Sequence, residues 1–244
     1  RLYGLSVPVH NHTFLIISGK QEAKLSYRDL QFYIHQAVEI GEADPITVKG
    51  WLGCDLGIVN ILVDSEGESF SGKPTNGLRH RHARQRAKLQ SKGTKAAKRL
   101  LMKRRRKEAR FARNVNHVIS KKMCAKAKRH SFGIALEDLK GIRERITVRK
   151  AQRRTHHSWA FAQLRSFIEY KALRDGIPVC VVDARNTSRT CPSCGHCEKS
   201  NRKSQKDFLC VRCSFAGLAD HVAAVNIGRR AAGNQPYAGL ALAS

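Results

Sequence analysis

Four cysteines, arranged as two C-x-x-C pairs, constrain the fold of this chain more than any other feature. Cys191-Pro-Ser-Cys194 and Cys210-Val-Arg-Cys213 are separated by 15 residues, a spacing typical of four-cysteine zinc sites. Each pair presents two thiolates from one tight turn, and Gly195 stands where such a turn favours a left-handed backbone. Because four protein ligands leave no open coordination position, we predict a structural zinc ribbon at residues 188–216.

Two neighbouring side chains are alternative ligands of this site. Cys197 has C-x-x-C spacing with Cys194, and His196 could replace a cysteine. We interpret Cys197 as a spare thiol and His196 as an exposed imidazole, because the four cysteines already complete a tetrahedral set. The chain has eight cysteines, and we expect no export signal, which favours thiols and bound metal over a disulfide framework.

The net charge indicates the kind of partner. The sequence contains 46 Lys and Arg against 19 Asp and Glu, for a net charge of +27. Such a charge favours a polyanionic partner, and we place nucleic acid before an anionic membrane because each neutralised phosphate releases a counterion. No apolar run approaches the ~18 residues of a transmembrane helix. We therefore expect a cytoplasmic, nucleoid-associated protein with no membrane partner.

Much of the positive charge lies in one segment, residues 79–130, which holds 21 Lys or Arg and a single acid, Glu108. Apolar residues at helical spacing predict a basic helical hairpin with its turn at Ser91-Lys-Gly-Thr94. A solvated helix face normally mixes both signs, so one sign over two helices favours a channel that contacts phosphates. The candidate nucleic-acid-binding residues, which include two from the ribbon, are Arg99, Lys103, Arg104, Arg105, Arg106, Arg110, Arg113, Arg189 and Arg212.

The remaining pattern predicts an α/β fold. Apolar strands end on acids at residues 51–55, 132–137 and 177–183, and residues 58–71 continue the first of them as a β-meander. Helical spacing predicts a helix at 156–174 and another that starts near Asp220. The remaining candidate strands, such as 7–18, lie in the first 50 residues, and the tail after Gly233 is predicted to be irregular. Strands that alternate with helices indicate a sheet covered by helices.

The strand-end acids are candidate metal ligands. Cutting a phosphodiester with two divalent ions requires several carboxylates that converge on one point. Magnesium keeps some of its waters, so two or three acids are sufficient. The pattern alone offers Asp55, Glu137 and Asp183, and it does not favour Asp220 over Asp183.

Four segments resemble, in order, the motifs of the TnpB nucleases and of their descendants, the compact type V CRISPR effectors. Gly53-Cys-Asp-Leu-Gly-Ile-Val-Asn60 is similar to the first RuvC motif, and Glu137-Asp-Leu139 to the second. Thr187-Ser-Arg-Thr-Cys-Pro-Ser-Cys-Gly195 resembles the segment that leads into the zinc ribbon. Ala219-Asp-His-Val-Ala-Ala-Val-Asn-Ile227 resembles the third motif. The resemblance covers about residues 47–230.

This resemblance implies an RNase H-like mixed sheet flanked by helices, with the basic hairpin, the inserted ribbon and the end of an N-terminal β-barrel. It implies that Asp55, Glu137 and Asp220 hold two catalytic Mg²⁺ or Mn²⁺ ions, and that Asp183 is structural. The implied partners are a guide RNA and a target DNA. The implied parts are a wedge-type barrel end at 1–46, a RuvC-like core at 47–187, the ribbon at 188–216, and the end of the core with the tail at 217–244.

The third motif departs from the family, which usually has Asn where this chain has Val222 and often an acid where it has Leu218. We expect an RNA-guided DNA endonuclease. A guided binder that silences its target without cutting is the alternative that Val222 favours. A transposase performing strand transfer is a third hypothesis, because RNase H-like cores also catalyse that reaction.

Overall fold

A computed structural model of the chain describes residues 23–28, 31–36, 43–104, 106–138 and 161–233. The predicted strands at 7–18, the start of the predicted helix at 156–160 and the tail after Gly233 lie outside these residues. The chain divides into two compact units, Arg1–Gly41 and Glu42–Ser244. In the first unit, β1 (Ala23–Arg28) and β2 (Gln31–Gln36) form an antiparallel hairpin.

The second unit is built on a mixed five-stranded sheet in the order β5-β4-β3-β6-β7. Its antiparallel half is the predicted meander of β3 (Gly50–Asp55), β4 (Asn60–Asp64) and β5 (Ser69–Ser71). Its parallel half adds β6 (Phe132–Glu137) and β7 (Val179–Val182) to β3. Parallel strands are covered on both faces, which explains why β3 and β6 are almost continuously apolar in sequence.

Helices cover the two faces of this sheet. The main core packs the sheet against α3 (Lys107–His130) and α4 (Phe161–Arg174), with Leu52 and Ile134 fully buried in it. The opposite face packs against α5 (Ala219–Gly233), where Ala135 contacts the cluster of Ile227 and Ala231. Side chains alternate between the two faces of a strand. The residues that follow Leu52 and Ile134 therefore point toward α5.

The basic segment forms three helices instead of a two-helix hairpin. Helix α1 (Lys73–Lys92) begins after Gly72 with Pro74 in its first turn and ends at Gly93, whose φ is +65°. Pro favours the first helical turn and Gly the residue after the last, so both ends are encoded locally. The predicted turn at 91–94 is thus at the right place. A second break separates α2 (Lys95–Arg104) from α3, where Arg106 has a φ of +70°.

The single acid of this segment connects its helices. Glu108 of α3 pairs with Arg86 of α1 at 3.4 Å and lies 3.8 Å from Arg79, which is largely buried. Like charges on adjacent helices repel, and this carboxylate offsets part of that repulsion where α1 meets α3. Within the described residues, no helix combines the length and the apolar character needed to span a bilayer.

A buried ion pair links the meander to α3. Asp64 is fully buried at the end of β4 and accepts hydrogen bonds from the backbone N–H groups of Glu66 and Glu68. Its carboxylate also forms an ion pair with the ammonium group of Lys126 on α3, at 2.5 Å. Removing one partner of a buried pair leaves the other charge uncompensated. We expect Lys126→Met to lower the free energy of unfolding by about 3 kcal/mol, measured by urea denaturation.

The exposed Lys121 on the same helix provides the matched control. Lys121→Met is expected to change the free energy of unfolding by less than about 0.5 kcal/mol, as for most surface substitutions. Equal effects of the two variants would show that the Asp64–Lys126 pair contributes nothing specific to the fold.

Candidate functional site

Two acids lie side by side because their strands are parallel neighbours. Asp55 ends β3 and Glu137 ends β6. Cys54 and Leu136, the residues just before them, are register partners. Neighbouring positions in register point to the same face of a sheet. Asp55 and Glu137 therefore both point to the face covered by α5, at the carboxyl ends of the two strands.

A third acid, Asp220, comes from the first turn of α5. This helix can reach the strand ends because it packs directly on the backbone of β3 at Gly53. A Cβ atom at Gly53 would lie 2.0 Å from the carbonyl oxygen of Ala224 and 2.4 Å from the nitrogen of Gly228. Only glycine permits this approach, and it brings the start of α5 to the end of β3.

The three acids line one polar cleft of about 260 Å³. Burial, followed by the negative charges of Glu137 and Asp220, raises the pKa of Asp55 well above its ordinary value. Burial also raises the pKa of Glu137, although the Thr187 hydroxyl and the Arg230 charge oppose the shift. Like charges held together in a buried cleft repel, and a bound cation offsets that repulsion.

Three polar residues complete the cleft. The Asn60 side-chain amide donates to Asp220 Oδ2 at 2.9 Å, and the Thr187 hydroxyl donates to Glu137 Oε1 at 2.9 Å. Arg202, from the ribbon, lines the same cleft, and its positive charge lowers the pKa of Asp55 against the stronger effects that raise it. Each acid thus has its own polar neighbour.

Asp183, the third strand-end candidate of the pattern, lies elsewhere. The register partner of Glu137 is Val182, the last residue of β7, so Asp183 lies beyond the end of that strand, and it does not line the acid cleft. Its carboxylate is exposed and is bound by the backbone N–H and the side chain of Arg185. These hydrogen bonds lower the pKa of Asp183 below its ordinary value.

The four predicted cysteine ligands converge on one point. Their sulfur atoms all lie within 4.8 Å of one another, a spacing that the ligand oxygens of the three acids do not reach. Two of the sulfur pairs, Cys191 with Cys213 and Cys194 with Cys210, are 3.6 Å apart. Ligands at ~2.3 Å from a tetrahedral zinc are separated by about 3.8 Å. The geometry is that of a possible four-cysteine metal site and is consistent with a zinc ribbon.

Both cysteine turns have the backbone that such sites require. Gly195 follows the first pair with a φ of +73°, and Ser214 follows the second with a φ of +59°. Desolvation opposes ionisation of Cys210, but hydrogen bonds from the backbone N–H groups of Cys213 and Arg212 lower its pKa to about 6. A lowered pKa favours the thiolate that binds metal. The hydrogen bond from the backbone N–H of Phe215 favours ionisation of Cys213, but hydrogen bonds with the other three sulfurs of the cluster, together with desolvation, raise the pKa of Cys213 to about 12.

The two alternative ligands stand apart from this cluster. Cys197 is exposed and pairs through its backbone with Thr190, and His196 lies 3.1 Å from the Glu198 carboxylate. Neither belongs to the group of mutually close ligand atoms. The ribbon itself is completed by β8 (Asp207–Leu209), paired with β9 (Ala216–Leu218), which extends it by two residues beyond the predicted end.

Sequence comparisons show which known proteins this chain resembles. The family described as Cas12f1-like, TNB domain, matches residues 161–227, which include the ribbon and Asp220. A TnpB-like protein of Methanocaldococcus jannaschii is 36% identical over 144 residues, which is 59% of this chain and 51% of that protein. A CRISPR-associated endodeoxyribonuclease Cas12f2 of a Micrarchaeota archaeon is 36% identical over 127 residues, 48% of this chain and 23% of that protein.

These matches show that the chain is similar to TnpB-like and type V effector proteins. The cryo-EM structure of a Cas12f1-sgRNA-target DNA complex superposes with a TM-score of 0.54 over 84% of this chain and 55% of that one, at 22% identity. This likeness confirms a Cas12f-like fold with a mixed sheet and helices. The chain spans about half the length of the TnpB-like relative and less than a quarter of the Cas12f2 protein.

The departure of this chain from the third motif of the TnpB and type V effector family has a structural basis. Val222 is 1% exposed and packs with Cys191, Phe208 and Cys210 in the core of the ribbon. It therefore faces the ribbon and not the acid cleft. The amide that reaches Asp220 in this chain comes from Asn60, on the first motif.

Most of the candidate nucleic-acid-binding residues predicted from the charge pattern are exposed. Arg104 is partly buried, and Arg105 lies outside the described residues. The exposed ones lie on α2, on α3 or the residue before it, and on the ribbon. They are Arg99, Lys103, Arg106, Arg110, Arg113, Arg189 and Arg212.

Sequence reasoning did not select the three polar neighbours of the acids. Asn60 lies in the segment that resembles the first RuvC motif, Thr187 lies in the segment that leads into the ribbon, and Arg202 is one of several charges on the ribbon. No spacing rule separates them from their neighbours, because their roles depend on contacts between segments as far as 160 residues apart.

Proposed function

We propose that this chain is the catalytic core of an RNA-guided DNA endonuclease that hydrolyses phosphodiester bonds at a two-metal, RuvC-like site. The observation that carries the proposal is the single cleft lined by Asp55, Glu137 and Asp220. The endodeoxyribonuclease name of the Cas12f2 relative and the RNA and DNA named in the Cas12f1 complex support the substrate and the guide.

The three carboxylates would hold Mg²⁺ or Mn²⁺, hard cations that take oxygen ligands and keep several waters. The three acids line a cleft of about 260 Å³, which leaves room for water and a phosphate. The bound ions would supply an activated water and stabilise the leaving oxygen. Arg202 carries a positive charge into the same cleft, where it would attract the scissile phosphate.

The sheet order supports an RNase H-like arrangement of the core at 47–187 and 217–244. Three antiparallel strands followed by two parallel ones place the ends of β3 and β6 at the centre of the sheet, where both acids are rigidly held. The hairpin of β1 and β2 would be the end of a wedge-type barrel at 1–46. The ribbon at 188–216, with zinc, and the basic helices within 79–130 would contact the backbone of guide RNA and target DNA.

The test is cleavage by the full-length protein purified with its RNA. Sequencing the bound RNA defines the guide, and a DNA duplex that matches it is incubated with the complex and Mg²⁺. We expect cleavage of the matched duplex, none of a scrambled duplex, and none when EDTA removes the divalent ions. An uncut matched duplex that is nevertheless bound would favour the guided binder, and joining of a transposon end to the duplex would favour the transposase.

A further inference from the structure

A chain of hydrogen bonds connects α5, the segment leading into the ribbon, and one of the acids. The Asn226 side-chain amide, on α5, donates to the carbonyl oxygens of Thr187 and Thr190, each at 2.7 Å. The Thr187 hydroxyl in turn donates to Glu137 Oε1 at 2.9 Å. Thr187 and Asn226 are 3% and 6% exposed, so water competes little for these bonds.

The bond from Thr187 constrains one oxygen of the Glu137 carboxylate. The hydroxyl carries one proton, and the carbonyl oxygen of Ala184 at 3.0 Å is a competing acceptor. A charged carboxylate is the stronger acceptor, so the proton goes to Glu137 in the ionised state that binds a cation. With Oε1 bound in this way, Oε2 is the oxygen left to face a metal ion in the cleft.

Asn226 fixes the segment that carries Thr187. Its two hydrogen bonds, to the carbonyl oxygens of Thr187 and Thr190, fix the backbone at both ends of this short segment. The next residue is Cys191, the first cysteine of the ribbon. Asn226 also lies six residues after Asp220 on the same helix. One helix therefore supplies an acid to the cleft and, through the segment leading into the ribbon, orients a second one.

We propose that Thr187 is a positioning residue that orients Glu137 for metal binding, and that Asn226 holds Thr187 in place. This inference rests on the proposed function, because it assigns Glu137 to a divalent-ion site. It goes beyond that function because it links the segment leading into the ribbon to the orientation of Glu137. Partners that orient metal ligands in this way typically contribute 10–100-fold to metal affinity or activity.

The first experiment compares three variants of the full-length complex in single-turnover DNA cleavage at increasing Mg²⁺. Thr187→Val keeps the shape but removes the hydroxyl, and Thr187→Ser keeps the hydroxyl. We expect the Val variant to need roughly 10–100-fold more Mg²⁺ for half-maximal rate, and the Ser variant to stay within about 3-fold of wild type. Thr190→Val is the matched control, because the Thr190 hydroxyl donates to the Asn186 carbonyl and not to an acid.

The second experiment measures Mn²⁺ binding by electron paramagnetic resonance on the full-length protein freed of RNA. The amount of Mn²⁺ bound by wild type minus the amount bound by Asp55→Asn gives the binding at the acid cleft. We expect Thr187→Val to weaken that binding by roughly 10-fold or more with zinc content unchanged. Thr187→Ala, which also lacks the hydroxyl, replaces the Val variant if that one loses zinc or melts early.

These outcomes separate the inference from the proposed function. If wild type cuts DNA but hydroxyl-free variants keep its Mg²⁺ and Mn²⁺ dependence, the positioning role is overturned and the function stands. A Ser variant as defective as Val overturns it as well, because the methyl group would then matter and not the hydroxyl. If wild type cuts nothing but Mn²⁺ binding falls in the hydroxyl-free variants and is kept in the Ser variant, the positioning role stands and the function fails.

Discussion

Asp55→Asn and Asp220→Asn are each expected to lower the rate of guided DNA cleavage by on the order of 1,000-fold, the scale seen when a group that stabilises transition-state charge is removed. Asparagine keeps the shape of aspartate but removes the charge that a divalent ion requires. The two residues come from different elements, β3 and α5, yet line one cleft. Equal, severe losses in both variants are therefore the expected signature of a shared metal site.

Binding of guide and DNA should persist in both variants, because removing a negative charge does not weaken attraction to phosphate. Asp183→Asn is the matched control: the residue also follows a strand, but its carboxylate is exposed and bound by Arg185. We expect that variant to cut DNA at the wild-type rate. Loss of cleavage in Asp183→Asn with retention in Asp220→Asn would overturn the assigned acid set. Gel-shift and single-turnover assays on the same preparations provide both measurements.

The pattern of the sequence predicts the sheet and two of its acids well, for a physical reason. Strands β3 and β6 are buried on both faces, so they stand out as apolar runs, and the acids that end them mark a common edge. The same pattern makes Asp183 an equally good candidate metal ligand, because it also follows an apolar strand. Only the register of β7, in which Val182 and not Asp183 is level with Glu137, separates them, and register between distant strands is not encoded in spacing.

Asp220 could be selected from the sequence only by resemblance, because its position depends on packing. Its helix reaches the strand ends through the contact of Gly53 with Ala224 and Gly228, and a glycine in a strand has several possible explanations. The departure at Val222 is explained by packing too, since this side chain fills the core of the ribbon. This packing could not be foreseen from the sequence, because it joins the third motif to a ribbon that precedes it in the chain.

The basic segment illustrates a different limit of sequence analysis. Gly93 marks the end of α1 by its own conformational preference, so the turn at 91–94 is predictable. The break at Arg106 occurs within a run of arginines with no glycine, proline or capping residue. Local propensity gives no signal there, and the separation of α2 from α3 emerges only in the folded chain.

Cys191→Ala is expected to abolish zinc binding, from one ion per chain to almost none, as measured by inductively coupled plasma mass spectrometry. Three remaining thiolates hold zinc less well, and the free energy of binding is what folds a small metal-stapled module. Cys191 is also 1% exposed in the core of the ribbon with Phe208 and Val222, so its loss removes packing as well. The ribbon should become sensitive to protease while the sheet stays folded.

Cys197→Ala is the matched control, because Cys197 is an exposed thiol in the same loop and lies outside the four-sulfur cluster. It should keep its zinc and its protease resistance, and unchanged zinc content in Cys191→Ala would rule out the assigned ligands.

The two variants also distinguish a ribbon that only binds nucleic acid from a ribbon whose folding affects metal binding at the acid cleft. Arg202 and Thr187 contact the acid cleft from the ribbon and from the segment leading into it. Loss of zinc should therefore weaken Mn²⁺ binding at Asp55 and Glu137, an effect that a ribbon serving only to hold nucleic acid would not produce.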